Sequence, residues 1–245
     1  MNTFEQAYTR WPDDAKLRSL LASAHYALGT ELLDGGKNDL AVTELRRASE
    51  LAPGDIEAQM NLGRALHNAL HHSEALKSFN QVIAGNSSTP LLRFHLGMTF
   101  YALGDFDKAI ADLTQEIETN PAYPPARLLR GLAYIANADW ERANADLTIA
   151  STAMTGNANA HYGYARTLVH MSKLSEAEVA LKKAMEADPT DPALTCSASG
   201  DGRSHPRVLE LSPRYACGAP KAAAAAHDRT GVSPVARSPR RRTEV

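Results

Sequence analysis

The sequence predicts an all-α solenoid of antiparallel helix pairs, and three observations carry that prediction. A 34-residue pattern recurs: alanine stands at 41, 75, 109, 143 and 177, and glycine at 29, 63, 97 and 131. A period of roughly 20–50 residues marks a repeat architecture. Within each repeat, apolar residues fall at three- and four-residue spacing in two stretches, which is the period of a helix. The composition agrees, with 44% hydrophobic residues but only 6% aromatic. Many small side chains and few aromatics suit closely packed helices better than a β-sandwich.

The units begin at residues 22, 56, 90, 124 and 158, without a gap. Three residues after each glycine comes Leu32, Leu66, Phe100 or Tyr134, with Ala165 and Leu168 completing the fifth unit. Four residues after each alanine comes Leu45, Phe79, Leu113, Leu147 or Leu181. Pro53, Pro121 and Pro189 close three units, and Ser87 and Thr155 take that place in the others. In the third unit Phe94, Gly97, Phe100 and Tyr101 mark a first helix, and Gly104-Asp105 breaks it. Phe106, Ala109, Ile110, Leu113 and Ile117 mark the second, which Asn120-Pro121 ends because proline cannot continue the ladder. Gly97 and Ala109 let the two backbones approach; a larger side chain at either costs about 1–3 kcal/mol through overpacking. Ala48, Val82, Ala150 and Ala184 share one register position and face the next unit, so they stay small. One such pair cannot bury its apolar face alone, and stacking makes the core continuous.

The two ends depart from this pattern. Phe4, Ala7 and Pro12 have the spacing of the end of a second helix, so residues 1–13 read as a half-repeat. A fresh helix is predicted from Ala15 to about Asp34, seven residues longer than its counterparts. Seven residues is nearly two turns, so the buried face is preserved. Met1 therefore begins inside a repeat: either a half-repeat caps the array or an upstream part is missing. The array proper spans 14–191, and residues 1–191 carry 17 Lys/Arg against 24 Asp/Glu, a net of −7. A sixth unit starts after Pro189 and stops by Thr195. Residues 192–245 are Pro/Ala/Gly/Arg-rich, with 9 Lys/Arg against 4 Asp/Glu, and are predicted to be a disordered basic tail. A shifted reading frame past codon 191 would produce the same abrupt change, and translating the other two frames tests that.

Several functions are disfavoured. No apolar run is long enough to span a membrane. The N-terminus lacks a basic start followed by an apolar stretch, and Cys196 and Cys217 stand alone, so a cytoplasmic setting is expected. There is no phosphate loop, dinucleotide fingerprint or zincin motif. The four-residue spacing of His67 and His71 would let them share a helix face, although a polar helix end and turn is the expected reading, and two ring nitrogens do not make a metal sphere. Asp105, Asp107, Asp112, Glu176 and Glu178 read as solvated carboxylates favoured near helix N-termini. No catalytic residue, metal or cofactor is expected, and the chain is not expected to be an enzyme. The arginines from 237 to 242 would attract nucleic acid weakly, while the acidic array should not bind it alone.

The repeated Leu-Gly, large residue, turn Gly, Ala, bulky residue, Ala and Pro resembles the tetratricopeptide repeat (TPR) family over residues 22–191. The sequence departs from that pattern at Arg130 and Tyr164, which replace an early leucine. It departs again at Glu116, where a small apolar residue is usual, and at Leu70, Ala138 and Ser172, which replace the turn glycine. The resemblance implies a right-handed superhelix in which the first helix of each unit lines a concave groove. Carried over, the groove positions are Tyr26, Thr30 and Leu33, then Met60, Asn61, Arg64 and His67. Phe94, His95, Met98 and Tyr101 follow, then Leu128, Leu132 and Ile135, and last Tyr162, Arg166 and His170. Met98 and Leu132 are the strongest candidates for ligand contact; Phe94, Tyr101 and Ile135 either touch ligand or pack against the neighbouring first helix. Of the family's two-carboxylate clamp only Asn61 is matched, so no binding of chaperone C-terminal tails is expected. The resemblance thus implies a non-catalytic scaffold binding a protein or peptide, with no small-molecule substrate. Its alternative is a recruiting or regulatory segment of a larger enzyme. An uncapped last repeat, with Leu181, Ala184 and Met185 left in water, leaves self-association open.

Overall fold

The computed structural model describes residues 2–86 and 88–190. The basic tail predicted over 192–245 lies outside the described residues.

Eleven helices and no strand make up the described residues. Helix α1 spans Asn2–Arg10 and α2 spans Ala15–Asp34, the long helix expected from the spacing. The pairs then follow in order. Helix α2 pairs with α3 (Asn38–Leu51), and α4 (Ile56–Asn68) with α5 (His72–Gly85). Helix α6 (Leu92–Ala102) pairs with α7 (Phe106–Thr119), and α8 (Pro124–Ala136) with α9 (Trp140–Ala153). Helix α10 (Ala158–His170) pairs with α11 (Leu174–Ala187). Each second helix also packs on the next unit's first helix. Successive first helices approach one another more closely than successive second helices do, which curves the array with its first helices inside.

The repeated glycines are contact points. A Cβ on Gly29, Gly97 or Gly131 would lie 2.6 Å from the Cγ of Leu45, Leu113 or Leu147. On Gly63 it would lie 2.5 Å from the Phe79 ring. In the first four units the bulky residue of the second helix therefore seats directly on the glycine of its partner, Ala165 takes that place in the fifth, and Ala41, Ala75, Ala109, Ala143 and Ala177 are buried alongside.

Each pair turns through three residues, and the middle one is left-handed in all five units. Its φ is +70° at Gly36 and +79° at Gly104, and near +60° also at Leu70, Ala138 and Ser172 (64°, 58° and 59°). The residue after it donates back to the first helix: Lys37 to the Leu32 carbonyl, Asp105 to Phe100 and Asp139 to Tyr134, each at 2.9 Å. This is a Schellman closure, and it fixes the turn whether or not glycine is present.

Polar pairs 19 residues apart join the two helices of three units. They are His25–Glu44 at 2.6 Å, Arg93–Asp112 at 2.8 Å and Arg127–Asp146 at 3.4 Å. Arg130, which displaced a leucine, makes a two-pronged contact to Asp146 at 2.7 and 2.8 Å and reaches Thr114 at 3.0 Å. Helix α1 is tied to the array by Glu5, which contacts His25 at 3.0 Å and Arg47 at 3.2 Å, while Tyr8 packs against Leu21, Ala22 and Leu51.

The last unit corrects one expectation. Leu181 and Ala184 are buried in a cluster with Ala165, Leu168, Ala177 and Ala180, so they present no apolar face to water. They are covered because α11 folds back onto α10 as each earlier second helix does.

Candidate functional site

Capping fixes the first helices that line the inner face. The Asp55 carboxylate accepts from the N–H groups of Glu57 and Ala58, and Asn157 accepts from Ala160 N–H. Pro124 opens α8, where its missing N–H costs nothing and its fixed φ suits the helix.

One ladder runs across the inner face. Thr30, Arg64, Met98, Leu132 and Arg166 occupy the same register position in successive first helices and are all half-buried. The ladder is polar at its start, apolar across units three and four, and cationic again at unit five.

The polar start is preorganised. Asn61 donates to the Tyr26 hydroxyl at 3.1 Å, and its carbonyl accepts from Arg64 at 2.9 Å. Tyr26 in turn donates to Glu57 at 3.4 Å, and burial with the nearby Glu57 charge raises its phenol above the usual range. Asn61 is itself buried and acts by orienting Arg64.

The middle is aromatic. Phe94 meets Tyr123 edge-on at 5.1 Å and His95 at 5.5 Å, and His95 stacks on Phe79 at 6.0 Å. Burial pushes His95 down to about 4, with Arg64 and His67 adding to the effect. Burial also pushes His67 down to about 4, helped by His72. Both rings are therefore neutral at pH 7. The Thr99 hydroxyl donates to the His95 carbonyl at 2.8 Å, so it accepts from His67 Nδ1 at 3.0 Å and places that proton on Nδ1. Tyr101 leans edge-on against Phe106 at 5.4 Å, and its phenol is raised by burial.

The sequence-derived groove residues do not all reach the surface. Tyr26, Met60, Phe94, His95, Met98, Tyr101, Leu128, Leu132, Tyr162 and Arg166 are half-buried. Ile135 is corrected: it is 6% exposed and packs with Tyr134, Ala143 and Leu147, because its position leans into the α8–α9 core. Leu33 is buried for the same reason. Leu132 is partly roofed by α10, where a Cβ on Gly163 would sit 3.1 Å from it. Met98 belongs to no buried cluster and is the least committed apolar side chain on the ladder.

Sequence reasoning missed the stack of Trp140 on His170, at 3.6 Å and 8° between planes. It also missed the turning of Arg93, Arg127 and Arg130 toward second-helix carboxylates. The 19-residue recurrence of basic and acidic partners was the available signal. Among the described residues no group of three His, Cys, Asp or Glu side chains could hold a metal ion. No helix there is long and apolar enough to cross a membrane.

Two family models described as tetratricopeptide repeat match the sequence, one over 134–195 and the other over 26–70 and 68–127. The chain belongs to the tetratricopeptide repeat family. No protein of curated function matches it in sequence. Solved TPR structures share its fold. MamA (residues 41 to the end) from Desulfovibrio magneticus RS-1 is 19% identical with a TM-score of 0.62, covering 70% of this chain and 97% of that one. YrrB, described as a TPR protein with an unusual peptide-binding site, is 20% identical with a TM-score of 0.59, covering 80% and 96%. TTC0263, a thermophilic TPR protein of Thermus thermophilus, is 25% identical with a TM-score of 0.58, covering 78% and 98%.

Proposed function

We propose that this TPR chain is a non-catalytic scaffold that binds a partner protein, through a peptide segment, along the inner face of its first helices. The observation that carries the reading is the ladder of half-buried Met98 and Leu132 framed by Arg64 and Arg166. An apolar strip edged by polar groups is the pattern of a recognition surface. Methionine adapts to varied partners, and the preset Asn61–Arg64 pair lowers the ordering cost of binding. The described TPR fold of YrrB, with its peptide-binding site, supports a peptide as ligand. We place the activity in the cytoplasm, which two isolated cysteines fit.

Affinity capture from the native host tests this. The wild-type chain is compared with Met98→Glu, alone and with Leu132→Glu, after circular dichroism shows unchanged helicity. Partners held by the wild type and lost by the variants support the groove. Partners retained by both variants overturn it.

A further inference from the structure

The ladder carries more than a location. Helices α6, α8 and α10 contain no Asp or Glu at all, although residues 1–191 hold 24 of them against 17 Lys/Arg. From unit three onward the carboxylates of the array sit on second helices and turns, while α2 keeps Glu31 and Asp34 and α4 keeps Glu57. The arginines in described ion pairs are Arg46, Arg47, Arg93, Arg127, Arg130 and Arg142, and neither Arg64 nor Arg166 is among them. Among the arginines of α4, α6, α8 and α10, Arg64 and Arg166 are thus the two without a described carboxylate partner, and they stand three units apart in one register. Between them stand Met98 and Leu132.

The spacing sets a length. Packed helices lie about 8–10 Å apart, and an extended chain in the polyproline II conformation advances about 3.1 Å per residue with three residues per turn, so each unit spans about three residues of ligand and side chains three apart face the same way. We propose that the occupant is an extended acidic–apolar–apolar–acidic peptide, its two side-chain carboxylates about nine residues apart and its two apolar anchors spaced between them. This rests on the groove reading above. The recognised anions are side chains within the ligand, so neither a free C-terminus nor a clamp is required.

The probe is a ten-residue peptide, blocked at both ends, with glutamate first and last, leucine at its fourth and seventh places and serine elsewhere. Versions with glutamine or lysine at both ends accompany it, and binding to the full chain is read by fluorescence anisotropy. The acidic peptide is expected to bind at least tenfold more tightly than the glutamine version at low salt, with the gap closing as salt rises. Arg64→Glu with Arg166→Glu is expected to switch the preference to the lysine peptide, with helicity unchanged. If all three peptides bind equally and Met98→Glu abolishes all of that binding, the groove reading stands and the acidic ligand is wrong. If none binds up to millimolar concentration, both are wrong.

Discussion

The carboxylate of Glu116 accepts the backbone N–H of Phe94 at 3.3 Å, so a buried acid on α7 caps the first turn of α6. The cap residue of α6 itself, Leu91, lies in the left-handed region at φ 59° and offers no side-chain acceptor. Other units keep an alanine or valine where Glu116 stands. Its charge is tolerated because it meets the positive end of a helix that lacks its own cap.

Glu116→Ala therefore costs about 1 kcal/mol despite restoring the family's usual small residue. Chemical denaturation reads the loss. Hydrogen exchange of amides 92–95 rises in the variant and stays unchanged in α4 and α8.

The three left-handed turn residues that are not glycine carry strain of about 1–2 kcal/mol each. Leu70→Gly, Ala138→Gly and Ser172→Gly each raise stability by about 0.5–1 kcal/mol after the entropy of glycine in the unfolded chain is counted. All three side chains are exposed, so little packing is lost. Thermal melts of the single variants check the direction, with Gly104→Ala moving the other way.

Gly97 and Leu113 should behave as one unit. Gly97→Ala places a Cβ 2.6 Å from Leu113 Cγ and costs about 1–3 kcal/mol. Leu113→Ala costs about 2–5 kcal/mol on its own. The double variant is less destabilised than the sum, which a double-mutant cycle measures directly.

Acid should loosen the middle of the array. His67 and His95 titrate at about 4 when folded and at about 6.5 when unfolded. The unfolded chain thus binds more protons between these values. Stability is full above pH 6.5 and falls as pH drops toward 4, by up to about 1.4 kcal/mol per pH unit for each histidine. His95→Gln flattens that slope in denaturation curves recorded across the window.

Much of the fold was legible because its strongest constraint is steric and periodic. A glycine that touches Leu45 or Phe79 must recur with its partner, and the recurrence is visible without coordinates. The long α2 was legible because its insertion preserves the buried face. Features outside the shared pattern were not. Glu116 finds Phe94 across 22 residues within unit three, Trp140 finds His170 across 30 in the next unit, and neither partner recurs with the repeat. The candidate site was legible only in part. Tyr101 and Ile135 share a register position, yet one is half-buried and the other is core, because exposure there depends on the neighbouring helix.

The central claim is that partners meet the inner face, and site-directed photocrosslinking tests it most directly. A photoreactive side chain at Met98 is compared in the native host with one at Val179, which is 57% exposed on the second helix α11. The account predicts a discrete crosslinked partner from position 98 and none of that species from position 179. The same species from position 179, with nothing from position 98, would contradict it.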